Sequence, residues 1–160
     1  MLPITISFIP NSLGRVEFVA HVMTGDRKSL DSVRFKYDSG SDFTTISCED
    51  LEILGYTQEF LKSRPYHVAG ASMAMGGKKK PLQYIENVSI KFGDRELQQC
   101  RVYFALETEL SSFFGSDILK YFNREINYDK GELKLFERKS EPGLSVGEDT
   151  PINIYSLEQA

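Results

Sequence analysis

The chain has 160 residues, of which 41% are hydrophobic and 26% are charged, and its formal net charge is -4 at pH 7. These values are typical of one globular domain with a buried core, and the acidic balance gives no general affinity for nucleic acid or for an anionic membrane. No segment approaches the roughly 18 apolar residues needed to cross a bilayer, and the N-terminal residues lack a signal-peptide pattern, so we expect a cytoplasmic protein.

Apolar and polar residues alternate along most of the chain, which predicts strands with one buried face. Turns that contain Gly14, Gly93 and Gly131 separate these runs. Many short strands joined by turns favour a closed barrel or a sandwich, so we predict a mainly β fold. The alternating apolar positions are Ile4, Ile6 and Phe8; Val16, Phe18, Ala20 and Val22; Val33, Phe35 and Tyr37; Val88, Ile90 and Phe92; Cys100, Val102, Phe104 and Leu106; Ile126 and Tyr128; and Leu133 and Leu135.

A first helix is predicted after the third strand. Ser47 can cap this helix with its side chain, and Asp50 three residues later is the matching capping-box acid. The helix runs through Leu54 and stops at Gly55, because glycine readily adopts the conformation that ends a helix. One further helical turn is predicted over residues 57–62.

A second clear helix is predicted to begin near Ser116, which is the expected N-cap. One side of this helix is apolar and carries Ile118, Leu119 and Phe122. Asp117 lies in the first turn, where an acid interacts favourably with the helix dipole. We therefore interpret Asp117 as a structural residue and not as a catalytic one.

The composition changes after residue 136. Residues 137–150 are rich in charge, proline and glycine, and we expect a loosely held segment there. Residues 151–155 alternate again and can add one strand. We therefore predict one domain over residues 1–136 and a C-terminal tail over residues 137–160.

Cysteine and histidine are scarce. Cys48 and Cys100 do not make a disulfide framework, and we interpret them as reduced, partly buried thiols. His21 and His67 are too few and too far apart in the sequence to form a recognisable metal site. The sequence therefore predicts no metal site.

One strand runs directly into Asp38, Ser39 and Gly40. The glycine allows a sharp turn, and the serine hydroxyl can bond to nearby backbone and stiffen the loop. Such a loop can hold the Asp38 carboxylate rigidly at a strand end. The same three residues are common turn formers, so an ordinary turn also explains them when they are taken alone.

Around and beyond Asp38 the chain resembles the retropepsin-like aspartic peptidases of the single-domain, homodimeric type. The first matching motif is the apolar strand that leads into Asp38-Ser39-Gly40-Ser41, followed by Ile46-Ser47 and a helix. The second is Phe113-Phe114-Gly115, followed by a short helix and a closing hairpin. The two motifs occur in the family's order, and the resemblance covers residues 14–136.

The resemblance implies a closed acid-protease-type β-barrel with one or two short helices and one lobe per subunit. Two subunits would each supply Asp38, and the two carboxyls would share one proton and activate the water that hydrolyses a peptide bond. In this family the Ser39 position ties the two active-site loops together, the Gly40 backbone contacts the substrate, and Ser41 belongs to the same loop. The implied partners are a polypeptide substrate and a second copy of the chain, with no cofactor, metal, nucleic acid or membrane.

The family also places a glycine-containing flap hairpin between its two motifs. The residues that match it are Gly70, Met75, Gly76 and Gly77. Such a flap closes over an extended peptide and holds it by strand-like hydrogen bonds. The methionines here are either flexible substrate contacts or core filler. The three lysines at 78–80 are either a solvated hairpin edge or the basis of a preference for acidic peptides.

Lys36 departs from the family pattern, which usually has an apolar residue two positions before the aspartate. On a regular strand Lys36 would share a face with Asp38, and its charge would favour an ionised carboxylate. This departure keeps open a second hypothesis, a non-catalytic dimer of the same fold that binds a peptide or a protein. A third hypothesis is an unrelated small β-barrel with a coincidental turn.

Overall fold

The computed structural model describes residues 2–10, 14–24, 31–66, 72–75, 78–93, 95–106, 110–138 and 153–156. These residues form strands β1 (Ile4–Ser7), β2 (Ile9–Pro10), β3 (Val16–Thr24), β4 (Asp31–Tyr37), β5 (Ser72–Met75), β6 (Lys78–Pro81), β7 (Gln83–Phe92), β8 (Arg95–Phe104), β9 (Phe113–Phe114), β10 (Phe122–Asn127), β11 (Glu132–Glu137) and β12 (Asn153–Ser156). The helices are α1 (Cys48–Ile53), α2 (Gln58–Lys62) and α3 (Ser116–Leu119).

Most strands belong to one curled sheet with the shape of a half-barrel. Its path runs β12-β8-β7-β3-β4-β9, and β2 pairs with β3. Neighbouring strands are antiparallel except for β4 and β9, which run parallel. A second sheet has the order β1-β11-β10, and β5 pairs with β6 in a separate hairpin. The prediction of a mainly β fold is confirmed.

Most of the alternating apolar residues face a common core, as predicted, but the prediction is wrong for Tyr128, which follows β10 and is 56% exposed. Ile4 and Ile6 of β1 are buried, and so are the matching positions of β3, β4 and β11. The alternation changes phase inside β7, where Asn87 has a φ of 58° and the register with β8 shifts between Ile85 and Val88. This irregularity lets both halves of β7 bury their apolar side chains, because one extra residue returns them to the same face.

Helices α1 and α2 begin where the sequence predicts. The Ser47 hydroxyl accepts a hydrogen bond from Asp50 N at 3.1 Å, and the Thr57 hydroxyl accepts one from Phe60 N at 3.2 Å. Gly55 follows α1 with a φ of 98°, which favours glycine over residues with a side chain. Among the described residues, no helix has the length and apolar character needed to span a membrane.

The predicted N-cap of α3 is wrong by one residue. Gly115 is the N-cap and gives no side-chain bond, while Ser116 is the first helical residue. Ser116 N instead donates to Ser41 O at 2.8 Å. The helix therefore begins against the backbone of the loop after β4, and this contact replaces the expected serine cap.

Four phenylalanine rings pack together behind the end of β4. The Phe114 ring lies 5.4 Å from that of Phe18 and 5.8 Å from those of Phe35 and Phe92. Phe114 and Phe35 are fully buried. Edge-on aromatic contacts of this kind add to the free energy gained by burial. The cluster therefore fixes the short strand β9 to the sheet.

Replacement of Phe114 by alanine is expected to lower the free energy of unfolding by about 3–5 kcal/mol, because it removes a fully buried ring from this cluster. Phe113→Ala is the matched control, since the neighbouring ring on the same strand is only half-buried. Denaturant unfolding of both variants tests this expectation. Equal losses would show that the ring cluster does not determine how β9 is held.

Candidate active site

Asp38 is the first residue after β4, and backbone bonds fix its position. Lys36 pairs with Phe113 and Tyr37 with Phe114 in the parallel ladder. Asp38 N continues this ladder by donating to Phe114 O at 3.1 Å. The aspartate thus lies where the sheet ends and the chain turns, with its main chain still attached to β9.

The loop after Asp38 closes on the aspartate itself. Gly40 N donates to Asp38 Oδ1 at 3.1 Å, and Ser41 N donates to Asp38 O at 3.1 Å. A Cβ added at Gly40 would lie 3.3 Å from Asp38 Oδ1, so a side chain there would crowd the carboxylate. Asp38 is half-buried, whereas Ser39 and Gly40 are exposed. The carboxylate is therefore held by its own loop and remains accessible on one side.

Ser41 has an internal role in this loop. Its side chain is buried, and its hydroxyl donates to Phe43 O at 2.9 Å. Its carbonyl accepts the bond from Ser116 N. The described contacts of Ser41 therefore support the loop.

Strand β9 is inserted between β4 and the backbone of Thr45. Thr45 N donates to Phe113 O at 2.9 Å, and Phe113 N donates to Thr45 O at 3.1 Å. The Thr45 hydroxyl adds a bond to Ser111 O at 2.8 Å. The neighbours of β9 are thus the end of β4 and Thr45, which lie at the two ends of the loop that carries Asp38.

Gly115 allows a very close approach of two backbones. A Cβ at this position would lie 2.4 Å from Phe43 O and 2.9 Å from Ser41 O, well inside any tolerated contact. Its φ of -102° is open to any residue, so the need for glycine here is spatial and not conformational. The glycine of the second motif therefore brings α3 against the Asp38 loop.

Asp117 and Thr44 join α3 to the far end of the loop. The carboxylate of Asp117 accepts from Thr44 Oγ1 at 2.6 Å, from Thr44 N at 2.9 Å and from Ile118 N at 2.9 Å. Burial raises the pKa of Asp117 above its ordinary value, and these hydrogen bonds and the nearby Lys120 partly oppose that rise. Asp117 does contact the helix start, as the sequence indicates, but the sequence analysis missed Thr44.

A similar contact joins α1 to the chain just before β9. Ser47 N donates to Ser112 Oγ at 3.0 Å, and Ser112 Oγ donates to Asp50 Oδ2 at 2.6 Å. A capping box implies a direct bond from Ser47 N to the Asp50 carboxylate. Ser112, which is 62 residues from Asp50, instead bonds to both of them. Local sequence gives no signal for Ser112, because the contact depends on the fold.

Lys36 borders a groove beside α1. This groove has a volume of about 580 Å³, and Glu17, Arg34 and residues of α1 also line it. The Lys36 ammonium lies 5.9 Å from the centre of the Phe113 ring. Strand β4 ends at Tyr37, one residue after Lys36 and one residue before Asp38.

The proposed flap coincides in part with the hairpin of β5 and β6. Met75 pairs with Lys78, and Ser72 pairs with Pro81. Gly70, Gly76 and Gly77 lie outside the described residues, as do the side chains of Met73 and Met75. The hairpin is thus a feature of the fold, and its use as a flap stays a prediction.

No metal site is found among the described residues, where no three His, Cys, Asp or Glu side chains converge. Cys48 and Cys100 are free thiols, as predicted, and burial raises the pKa of both. His21 is exposed and its Nδ1 lies 3.2 Å from Ser32 Oγ, while His67 is outside the described residues.

The chain is similar to the solved structure of a retropepsin-like aspartic protease from Rickettsia conorii. The two share 21% sequence identity with a TM-score of 0.58, over 83% of this chain and 89% of that chain. This similarity, together with the curled β-sheet, shows a retropepsin-like fold. No protein-family model and no curated protein sequence matches the chain.

Gly115→Ala is expected to lower the free energy of unfolding by about 1–3 kcal/mol, because the new methyl group would overlap the Phe43 carbonyl. Gly40→Ala is the matched control, since its methyl group would meet only a side-chain oxygen at 3.3 Å. Denaturant unfolding of both variants measures the difference. A Gly115→Ala protein as stable as Gly40→Ala would contradict the close contact.

Proposed function

We propose that this chain is one subunit of an aspartic endopeptidase, in which Asp38 from each of two copies forms the catalytic dyad. The observation that carries the proposal is the half-buried Asp38 carboxylate at the end of β4, held by Gly40 N and open on one side. The same fold in a solved structure described as an aspartic protease supports it.

The chemistry follows from two carboxyls in contact. Like charges this close share one proton, so one carboxylate acts as base toward water while the other, protonated, polarises the scissile carbonyl. The exposed Ser39 and Gly40 are available to a partner loop and to a substrate backbone. The rigid loop keeps each carboxylate in place, which is the condition for this kind of catalysis.

The second carboxyl of the dyad is best supplied by a second copy. Asp117 is engaged by Thr44 and Ile118, so it is not available to Asp38. Asp42 lies in the same loop, four residues after Asp38, and is exposed. Within this loop, the contact to the Asp38 carboxylate comes from Gly40 N. A two-fold axis brings Asp38 opposite its own copy without any further residue.

Features of the small sheet support pairing with a second chain. β1 and β10 are the outer strands of the order β1-β11-β10, so each has one edge without a strand among the described residues. Leu2 and Ile9 flank β1 and are 83% and 84% exposed. Unpaired strand edges and exposed large apolar residues both favour association.

The flap, the domain bounds and the class of substrate are part of the same proposal. The hairpin of β5 and β6 serves as the flap, with Gly70, Met75, Gly76 and Gly77 near the substrate. Residues 1–136 are the peptidase domain and residues 137–160 the tail, whose strand β12 pairs with β8. The substrate is a polypeptide bound in an extended form.

Asp38→Asn is expected to abolish peptide cleavage and to leave the fold intact, because the amide has nearly the same shape but cannot act as a base. Cleavage of a mixed peptide library and the unfolding midpoint are measured for both proteins. Wild-type activity per chain should also fall on dilution, since mass action separates the subunits. Cleavage by Asp38→Asn at the wild-type rate would exclude Asp38 as the catalyst, and unchanged specific activity on dilution would contradict the dimer.

A non-catalytic, peptide-binding dimer is the alternative, and the same library separates the two: binding without cleavage by the wild type favours it. The departure at Lys36 motivates this alternative, and replacement of Lys36 tests whether this lysine acts on the dyad.

Lys36→Leu is expected to leave the upper limb of the pH-rate profile in place, although the sequence alone predicts a shift toward neutral pH. The reason is that the Lys36 side chain lies against the Phe113 ring and borders the groove beside α1. Arg34→Leu removes a cation from the same groove and controls for the change in net charge. A shift of the upper limb with Lys36→Leu alone would show that this lysine acts on the dyad.

A further inference from the structure

Asp117 has more contacts with the Asp38 loop than with its own helix. Its two oxygens accept two bonds from Thr44, at 2.6 and 2.9 Å, and one from Ile118 N at 2.9 Å. An ionised carboxylate can only accept, and it serves all three donors at once. Bonds to a charged acceptor are shorter and stronger than neutral ones. The contact joins residues 73 positions apart in the sequence.

The start of α3 bonds to the Asp38 loop at two points. At Thr44, the hydroxyl donates its proton to Asp117 and accepts from Gly115 N at 3.0 Å. At Ser41, the carbonyl accepts from Ser116 N at 2.8 Å, and Ser41 N donates to Asp38 O at 3.1 Å. The second point therefore connects α3 to the main chain of Asp38.

We propose that Asp117 is a positioning residue, whose ionised carboxylate holds the Asp38 loop in its working geometry through Thr44. Without this carboxylate, the Thr44 hydroxyl and the amides of Thr44 and Ile118 would lose the acceptor that they share. The effect of Asp117 on catalysis rests on the proposed peptidase function. The coupling of the loop to Asp117 does not depend on that function.

The titration of Asp117 has a definite direction. Burial raises its pKa, while Thr44, Ile118 and the charge of Lys120 lower it by a smaller amount. The facing thiol of Cys100 on β8 is neutral, because burial and the Asp117 charge both raise its pKa. Asp38 and Asp42 are the other acids of the loop. Asp117 therefore takes up its proton at a higher pH in the folded chain than in the unfolded chain.

The direction of this shift fixes how Asp117 affects stability. A raised folded pKa means that the contribution of Asp117 to stability is present below its unfolded pKa and is lost as pH rises through its folded pKa. Acidification should therefore stabilise the fold through this group, because a neutral carboxyl costs less to bury than an ionised one.

The test compares the pH dependence of kcat and KM in the wild type, Asp117→Asn, Thr44→Val and Thr44→Ser. Asp117→Asn and Thr44→Val are expected to lower kcat about 10- to 100-fold with KM little changed, since small displacements of a catalytic group have effects of this size. Thr44→Ser keeps the hydroxyl and should retain most activity. Asp129→Asn, which removes an exposed carboxylate from the β10–β11 turn, is the control.

A second measurement does not depend on activity. In NMR titrations of the wild type, the backbone amide signal of Ser41, which donates to the main-chain carbonyl of Asp38, should shift in part with the titration of the Asp117 carboxyl. In Asp117→Asn this part of the shift should be absent. If the wild type cleaves no peptide, the proposed function fails, and the titration still decides the coupling. A Ser41 amide signal that ignores the Asp117 titration, or an Asp117→Asn enzyme with wild-type kcat, would overturn the proposal.

Discussion

Strand β9 has only two residues, yet the position of Asp38 depends on it. Phe114 accepts the bond from Asp38 N, and its ring is buried among Phe18, Phe35 and Phe92. On its other side, Phe113 pairs with Thr45. Because β9 is fixed by burial and by hydrogen bonds on both edges, the loop between β4 and Thr45 has little freedom. The catalytic proposal rests on this rigidity.

The acids around the site have different environments and therefore different roles. Asp50 accepts from Ser112 and links α1 to the chain before β9. Asp117 accepts from Thr44 and links α3 to the Asp38 loop. The carboxylate of Asp38 accepts from Gly40 N of its own loop, and the residue is half-buried. This difference in partners supports the proposal that Asp38 is the catalytic carboxylate.

Local patterns in the sequence predicted much of the fold. Alternation identified the strands because one face of each is buried, and the Ser47 cap was visible because its partner Asp50 lies three residues away. The turn of Asp38, Ser39 and Gly40 was visible for the same reason. Each of these features depends on neighbours along the chain or on a regular period.

Features that depend on distant contacts were not predictable in this way. The bond between Thr44 and Asp117 joins residues 73 positions apart. The N-cap of α3 is Gly115 because the Phe43 carbonyl lies too close to this backbone for a side chain. Close backbone approach and long-range hydrogen bonds leave no period in a single sequence.

The central claim is that two copies of Asp38 share one active site, and subunit exchange tests it most directly. Wild-type chains are mixed with increasing amounts of Asp38→Asn chains under conditions of confirmed exchange, and the total peptidase activity is measured. A mixed dimer holds only one carboxylate of the dyad, so activity per wild-type chain should fall in proportion to the wild-type fraction of all chains. Activity per wild-type chain that stays constant, despite exchange, would contradict the shared site.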